Sequence, residues 1–344
     1  MEENFIKTIL DRVANNDALN KDESYKAFNM ILNGGFTNAQ IGSFLTSLKI
    51  KGENVGEIAG AANAMRENVL SIPIENSVQL ELVDTCGTGG DCKNTFNIST
   101  CAALIAAGAG VKIAKHGNYG VSSKSGSADV LKELGVNIFM DPQKVLKSIE
   151  YANIGFLFAP NFHTAMKFAA PARKELGFKT IFNILGPLTN PFGAKKQIIG
   201  AYSKNLAEKI VEVLRLLNTE RAFVVYGRDG IDEVSLSSIT DIYELNSGDI
   251  RHFEFNPKEY GFDFSEQAVF QSFSVAENAK IIYDIISGKP GPKADIALLN
   301  AGFAILVSGK AGDLNEALDA ARYSILSGRA TKSLQNLIEI SNKQ

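Results

Sequence analysis

The feature that most constrains this chain is the glycine-rich octet Asp-Thr-Cys-Gly-Thr-Gly-Gly-Asp at residues 84–91. An alternating apolar run precedes it, and residues 97–100 (Asn-Ile-Ser-Thr), which can open a helix, follow it. A glycine turn between a strand and a helix N-terminus directs backbone N–H groups at one point, where they can bind an anion. Because Asp91 would repel a bare phosphate, the octet favours a phosphate that arrives with a divalent cation, or a sugar hydroxyl.

The octet belongs to neither of the common phosphate-binding motifs. It lacks the Gly-Lys-Ser/Thr ending of a Walker loop and the glycine spacing of a dinucleotide-binding turn. Glycine-rich turns also close tight strand–helix joints without binding a ligand. The octet on its own therefore leaves both interpretations open.

The bulk composition is that of a globular protein and excludes several classes of function. The chain has 344 residues, 45% hydrophobic and 21% charged, a length that favours about two domains. A net charge of −3 without a dense basic block argues against nucleic acid as the main partner. No run approaches the roughly 18 apolar residues of a membrane span, so we expect no membrane association. The odd count of three cysteines favours a reducing, cytoplasmic location.

The apolar spacing predicts an α/β protein with two domains. Residues 1–72 have the pattern of four short helices and are predicted to form a small α-helical bundle domain. In residues 73–344 short strand-like runs alternate with helical runs, which predicts a large α/β domain with a mostly parallel central sheet flanked by helices. The predicted strands are 80–85, 111–115, 155–159, 197–201 and 222–226, and the helices between them are 97–108, 127–134 and 204–217. A hairpin at 242–255 and three final helices, one of them beginning near Asp313, complete the prediction.

The proline-interrupted segment 160–192 does not fit the alternation. It is expected to return to the helical bundle before it rejoins the sheet, so that part of 160–190 joins the first domain. A site between the two domains would then use residues of this segment.

A second polar motif, Lys-His-Gly-Asn at residues 115–118, follows the next predicted strand. In a parallel sheet ligands bind outside the carboxyl ends of the strands, where both motifs lie. Lys115 can neutralise a phosphate, and the Ser and Gly residues at 119–127 offer hydroxyls and backbone donors. A solvated polar loop is the alternative, but the coincidence with the octet disfavours it.

Four further residues become candidates for function beside this predicted phosphate site. Asp232 and Glu233 follow a glycine turn and suit Mg²⁺, which takes oxygen ligands and bridges to substrate phosphates. Arg173 is a natural partner for a small carboxylate. His163 fits a core histidine as well as a ligand. No Ser-His-Asp or zinc-ligand spacing is present.

Together these motifs resemble the anthranilate phosphoribosyltransferase family over nearly the whole chain. The resemblance includes Leu-Lys-Ile-Lys-Gly-Glu at 48–53, Ala-Met-Arg at 64–66, the octet, residues 97–100, the Lys-His-Gly-Asn motif and residues 121–129. It continues through residues 182–191 and Asp232-Glu233. The resemblance implies a helical domain joined to an α/β domain and transfer of the phosphoribosyl group of PRPP to the amine of anthranilate in tryptophan biosynthesis, with release of pyrophosphate.

The resemblance also implies roles for individual residues. PRPP would contact Gly87, Gly90, Asp91, Thr95, Asn97, Ile98, Ser99, Thr100, Lys115, His116, Gly117, Asn118, Tyr119, Gly120, Val121, Ser122, Ser123 and Ser127. Anthranilate would contact Gly87, Asn118 and Arg173, with His116, His163 and Pro187 along its approach. Lys115, Asn118 and Arg173 would be the catalytic residues. Two Mg²⁺ ions would bind, one at Ser99 and Glu233 and one at Asp232 and Glu233.

The same resemblance implies a homodimer that forms through the helical domains, and it leaves association with a glutamine amidotransferase or anthranilate synthase subunit open. Two positions depart from the family pattern. Tyr119-Gly120 replaces the usual Arg-Ala, and Lys179 stands where Arg is usual. The first change puts the role of position 119 in doubt.

Two rival functions remain at this stage. A pyrimidine-nucleoside phosphorylase would use the same architecture with phosphate in place of magnesium and pyrophosphate, but the Asp-Glu pair and the Lys-His-Gly-Asn motif favour the transferase. A non-enzymatic nucleic-acid-binding relative would need a basic surface, and the pI near 5.8 argues against it.

Overall fold

The computed structural model describes residues 2–70, 81–120 and 125–343. The chain begins with four helices, α1 (Glu2–Ala14), α2 (Lys21–Leu32), α3 (Asn38–Lys51) and α4 (Val55–Glu67). Helices α2, α3 and α4 each begin with a capping box, which satisfies the first free N–H groups of the helix: Asn20 with Glu23, Thr37 with Gln40, and Asn54 with Glu57. The boundary predicted at residue 72 lies outside the described residues.

The larger part of the chain is built on one seven-stranded sheet. Its strands are β1 (Leu82–Gly87), β2 (Lys112–Gly117), β3 (Ile154–Phe158), β4 (Lys196–Gly200), β5 (Arg221–Gly227), β6 (Thr240–Asn246) and β7 (Asp249–Phe255). They lie in the order β3-β2-β1-β4-β5-β6-β7; β1 to β5 are parallel, and the β6–β7 hairpin is antiparallel. The predicted fold class, a helical bundle plus a mostly parallel α/β domain, is therefore confirmed.

Helices cover both faces of the sheet. They are α5 (Ile98–Gly108), α6 (Ser127–Glu133), α7 (Pro142–Ala152), α8 (Ala159–Phe162), α9 (Ala170–Leu176), α10 (Phe182–Leu185), α11 (Lys204–Leu216), α12 (Val275–Ile286), α13 (Pro292–Ser308), α14 (Leu314–Leu326) and α15 (Arg329–Asn342). The prediction of three final helices is wrong, because four form. Gly328, with φ +73°, separates α14 from α15 and provides no side-chain cap that the sequence could reveal.

The sheet separates two apolar cores. Adjacent residues of β4 show the division, since Ile198 belongs to the core under α5 and α13, whereas Ile199 belongs to the core that α11 shares with the bundle. The segment at 169–188 packs into the second core, where the rings of Phe28 and Phe182 meet edge to face with centroids 5.5 Å apart. The bundle is thus held against one face of the sheet.

Within residues 2–70, 81–120 and 125–343, no helix combines the length and the apolar character that crossing a membrane requires.

Candidate active site

A polar cleft of about 360 Å³ lies at the carboxyl ends of β1 and β2. The chain order reverses between β1 and β4, with β2 and β3 on one side of β1 and β4 and β5 on the other. Such a switch point leaves a crevice above the strand ends, because the following loops diverge there. The glycine loop (residues 87–91), the loop after β2 and residues 232–233 after β5 all line the cleft.

Two glycines at neighbouring strand ends fix Asp232 over the sheet. A Cβ at Gly200 would lie 1.6 Å from the Asp232 carbonyl oxygen, and a Cβ at Gly87 would lie 2.4 Å from Asp232 Oδ2. The Gly89 N–H donates to the same Oδ2 at 3.0 Å. Both strand ends therefore need glycine so that the carboxylate can reach the glycine loop.

Asp91 and Asp232 place two carboxyl groups close together. Burial, followed by the charge of Asp91, raises the pKa of Asp232 to about 7. The Oδ2 atom of Asp91 is buried and has no hydrogen-bond partner in the described part of the chain. A carboxylate oxygen in this condition accepts a cation or a hydroxyl donor readily.

The side chain of Glu233 accepts a hydrogen bond from a free N–H group at the N-terminus of α5. Its Oε1 accepts a hydrogen bond from the Ser99 N–H at 3.1 Å, whereas the N-cap residue Asn97 makes no side-chain cap bond. Burial, with the nearby charge of Asp232, raises the pKa of Glu233 well above its usual value. A divalent cation would compensate this crowded negative charge.

The carboxylates of this cleft offer oxygen atoms, the ligand type that Mg²⁺ prefers. No group of three or more His, Cys, Asp or Glu side chains in the described ranges could hold a metal by itself. Mg²⁺ needs few protein oxygens because it keeps waters and takes the rest from substrate phosphates. Asp91, Asp232 and Glu233 line one cleft and provide oxygens of that kind.

Lys115 places a buried positive charge beneath the cleft. Its side chain is 1% exposed, and its Nζ donates to Thr85 O at 2.6 Å, to Thr85 Oγ1 at 3.3 Å and to Ser99 Oγ at 3.4 Å. Burial lowers its pKa, and the charges of Asp84 and Glu233 oppose that effect. Protein oxygens therefore engage the donors of Lys115, and its positive charge lies at the floor of the cleft.

The loop after β2 is held by backbone contacts that Gly126 allows. A Cβ at Gly126 would lie 2.4 Å from the Asn118 carbonyl oxygen. Asp129 accepts hydrogen bonds from Gly120 N at 2.9 Å and Gly126 N at 2.8 Å, which joins the loop to the start of α6. Tyr119 turns its ring onto Phe158, with centroids 5.0 Å apart.

The other wall of the cleft carries Arg173 and His116. The Arg173 guanidinium lies 5.1 Å above the ring centroid of Phe182, and burial lowers its pKa. His116 Nδ1 lies 3.1 Å from Gly186 O, and its ring is 5.1 Å from that of His163. Burial lowers the pKa of His116 to about 3 and that of His163 to about 4, so both rings are neutral at pH 7.

The structure brings most of the predicted residues to this one cleft. Its lining includes Gly87, Gly90, Asp91, Thr95, Asn97, Ile98, Ser99, Lys115, His116, Gly117, Asn118, Tyr119, Gly120, Ser127, Arg173, Pro187, Asp232 and Glu233. Thr100 and His163 are buried behind the lining. Val121, Ser122 and Ser123 lie outside the described residues.

Thr88, Lys179, Phe182 and Asn183 also line the cleft, and none of them is among the site residues expected from the sequence. Lys179 donates to Gly90 O at 3.3 Å and so contacts the glycine loop directly. Thr88 lies inside the octet and could have been included on that ground. The other three come from the irregular segment after α9, where the resemblance covers residues 182–191 and notes Lys179 as a departure but implies no role for these side chains.

The fold and the cleft together define a two-domain glycosyl transferase. The family model described as "Glycosyl transferase family, helical bundle domain" matches residues 7–69, and that described as "Glycosyl transferase family, a/b domain" matches residues 79–331.

The named relatives of this chain show which group of glycosyl transferases it belongs to. The anthranilate phosphoribosyltransferase of Methanocorpusculum labreanum is 47% identical over 98% of this chain and 98% of its own length. The crystal structure of the Thermus thermophilus anthranilate phosphoribosyltransferase has a TM-score of 0.90 at 35% identity, covering 97% of this chain and 99% of that one. The Saccharomyces cerevisiae enzyme, solved in complex with PRPP and Mg, has a TM-score of 0.87 at 31% identity, with 98% of each chain covered. This chain therefore belongs to the anthranilate phosphoribosyltransferase family.

Proposed function

We propose that the protein transfers the phosphoribosyl group of PRPP to the amine of anthranilate, giving N-(5-phosphoribosyl)anthranilate and pyrophosphate, in tryptophan biosynthesis. The observation that carries this proposal is one cleft lined by a glycine loop, three carboxylates, Lys115 and Arg173. The named functions of the relatives agree, and the S. cerevisiae enzyme has also been solved with 4-fluoroanthranilate.

The difficult step in this reaction is departure of pyrophosphate from the anomeric carbon. The C–O bond to pyrophosphate breaks, a C–N bond to the amine forms, and the amine loses a proton. Lys115 would stabilise the negative charge that grows on the leaving group, because its ammonium lies beneath the glycine loop in a site shielded from water. The aromatic amine has a free lone pair, so no base is needed before attack.

Positioning of anthranilate is the second contribution of the chain. Arg173 would bind its carboxylate and Asn118 would orient its amine towards the anomeric carbon. His116 and Pro187 line the cleft, and His163 supports His116 from behind. A neutral imidazole pair adds no charge that would compete with Arg173 for the carboxylate.

Magnesium is part of the proposal, as two ions per site. Ser99 with Glu233 would hold one ion, and Asp232 with Glu233 the other, while PRPP oxygens complete both sets. Bound Mg²⁺ would neutralise pyrophosphate as it leaves. The crowded carboxyls of Asp91 and Asp232 support this assignment, because burial and the charge of Asp91 raise the pKa of Asp232 and a cation would offset both effects.

The decisive experiment follows anthranilate fluorescence with PRPP, with and without Mg²⁺. Loss of fluorescence that needs both PRPP and Mg²⁺ establishes the reaction. No loss under either condition would refute it, and phosphorolysis of thymidine and uridine would then test the phosphorylase alternative.

We further propose a homodimer that forms through the helical bundle. Ile50 on α3 is 81% exposed, so the bundle presents a large apolar side chain that a second copy of the chain would cover. Light scattering on the wild type and on Ile50→Glu tests this: the wild type is expected as a dimer and the variant as a monomer. A monomeric wild type would refute it.

The predicted cytoplasmic location is supported by Cys86, Cys92 and Cys101, which are free thiols. Association with an amidotransferase stays a prediction.

A further inference from the structure

A second cavity, of about 250 Å³, lies between the bundle and the sheet domain. Its wall is formed by α3 and α4, by residues 179–184, by the start of α11 and by Thr88 and Gly89 of the glycine loop. We call it the interdomain cavity. Thr88, Gly89, Lys179 and Asn183 also line the catalytic cleft, so the glycine loop and part of the 179–184 segment form a wall shared by the two spaces.

Three lysines give this cavity a positive charge. Lys49, Lys179 and Lys209 line it, and none of them forms an ion pair with a carboxylate of the described residues. Lys209 donates to the backbone oxygen of Glu53 at 2.8 Å, and Lys179 to that of Gly90. Glu53 is the one acidic residue of the lining, so the net charge of these side chains is positive.

Two buried hydroxyl groups in the same wall lack a partner. Thr180 is 5% exposed and Thr88 is 8% exposed, and the Oγ1 atoms of both have no hydrogen-bond partner in the described ranges. A buried hydroxyl normally finds a partner, because leaving it unpaired costs about 1–3 kcal/mol. Unpaired hydroxyls beside three cations are suited to an acceptor-rich anion.

Helix α11 adds a third favourable element. It begins at the cavity wall, where Ser203 is its N-cap and Asn205 and Leu206 line the space. The N-terminus of a helix carries a partial positive charge and favours an anion in front of it. The positive charge of the lysines, the unpaired hydroxyls and the orientation of α11 therefore all favour an anion in this cavity.

From these observations we infer that the interdomain cavity binds a small phosphate-class anion, held by Lys49, Lys179 and Lys209 and by the hydroxyls of Thr88 and Thr180. Lys49, Thr180 and Lys209 line this cavity and not the catalytic cleft, whereas Thr88 and Lys179 lie on the wall between the two spaces. The anion can be free inorganic phosphate or the pyrophosphate that the reaction releases. Its presence would draw Lys179 away from Gly90 and place negative charge behind the PRPP site, so PRPP would bind more weakly.

The test is calorimetric titration of inorganic phosphate at constant ionic strength into protein saturated with PRPP and Mg²⁺, without anthranilate. We expect one phosphate per chain. The double variant Lys49→Gln/Lys209→Gln should weaken phosphate binding at least tenfold. The matched control Lys132→Gln/Lys332→Gln, at exposed positions remote from the cavity lining, should leave it unchanged.

Thr180→Val provides a second test that separates binding from folding. Its hydroxyl makes no protein hydrogen bond, so the variant should keep the melting temperature while it weakens phosphate binding several-fold. A parallel titration with pyrophosphate identifies the source: tighter binding than phosphate indicates the reaction product, and equal or weaker binding indicates free phosphate.

Wild-type protein that binds no phosphate when PRPP is present, or lysine variants that bind it as tightly as the wild type, would overturn the inference. The outcome is independent of the proposed reaction. If PRPP failed to bind, the wild type would titrate two phosphates and the lysine double variant one.

Discussion

The two buried histidines predict a loss of stability as the pH falls below 6.5. His116 and His163 are each 7% exposed, and burial holds their pKa values at about 3 and about 4. In the unfolded chain both imidazoles have a pKa near 6.5. Because both folded pKa values are depressed, the stabilising contribution is complete above pH 6.5 and is lost as the pH falls and the unfolded chain takes up protons.

The magnitude follows from the proton uptake. Each pH unit below 6.5 costs about 1.36 kcal/mol per imidazole, so at pH 5 each histidine lowers the free energy of unfolding by about 2 kcal/mol and the pair by about 4 kcal/mol. Asp232 and Glu233 act in the opposite direction, because their raised pKa values make the folded protein take up protons over the same range. A variant comparison is therefore needed to isolate the histidine contribution.

The assay compares urea unfolding of the wild type and His116→Gln/His163→Gln at pH 7.5 and pH 5. The wild type should lose about 4 kcal/mol more than the variant between the two pH values. Ring NMR signals give an independent check, since the chain has three histidines and His252→Gln identifies the third. A His116 or His163 ring that titrates with a midpoint above pH 5.5 would refute the reasoning.

Three other substitutions test the cleft. Arg173→Gln removes the proposed carboxylate partner, and loss of a charged hydrogen bond worth about 1.5–3 kcal/mol should raise the KM for anthranilate roughly 10- to 100-fold in steady-state assays. Asp232→Asn keeps the shape but removes a proposed metal ligand, so the Mg²⁺ concentration for half-maximal activity should rise about tenfold or more. Gly200→Ala places a methyl group 1.6 Å from the Asp232 carbonyl oxygen and should abolish turnover or folding. The control Gly42→Ala, whose added Cβ meets nothing within 4 Å beyond its own part of α3, should keep the activity and should not lower the melting temperature, because Ala favours a helix interior more than Gly does.

Each of these three has an outcome that contradicts it. An Arg173→Gln enzyme whose KM rises for PRPP but not for anthranilate would assign Arg173 to the wrong substrate. Unchanged magnesium dependence in Asp232→Asn would remove Asp232 from the metal site. A fully active Gly200→Ala enzyme would show that the loop after β5 can move without consequence.

The spacing of apolar residues along the sequence is sufficient to predict most of the helices and strands. The predicted helix 97–108 corresponds to α5 (Ile98–Gly108), and the predicted hairpin turns between β6 and β7. The apolar periodicity predicts these elements because each helix buries one face, and each strand one or both faces, in apolar core. One helix was predicted between β2 and β3, but both α6 and α7 form, since the apolar face of α7 packs on β3 and α15, far away in sequence.

The local sequence patterns predict fewer residues of the candidate site where their positions depend on tertiary packing. The glycine loop and the Asp-Glu pair could be predicted because their residue types alone indicate anion and cation binding. The resemblance covers the stretch around Asn183 and notes Lys179, but their place in the cleft depends on tertiary packing such as that of Phe182 against Phe28 from the bundle. A contact between residues so far apart in sequence is not encoded in any local pattern.

The shared core of the bundle has a consequence for synthesis of the chain. The apolar faces of α1–α4 are completed by residues 181–217, as the Phe28–Phe182 contact and the hydrogen bond from Arg66 Nε to Leu188 O at 2.8 Å illustrate. Translation of the 147 residues from 71 to 217 takes roughly 7 to 30 s at about 5–20 residues per second. During that interval the four helices emerge from the ribosome without their packing partner, so the nascent chain exposes an apolar surface that chaperones recognise.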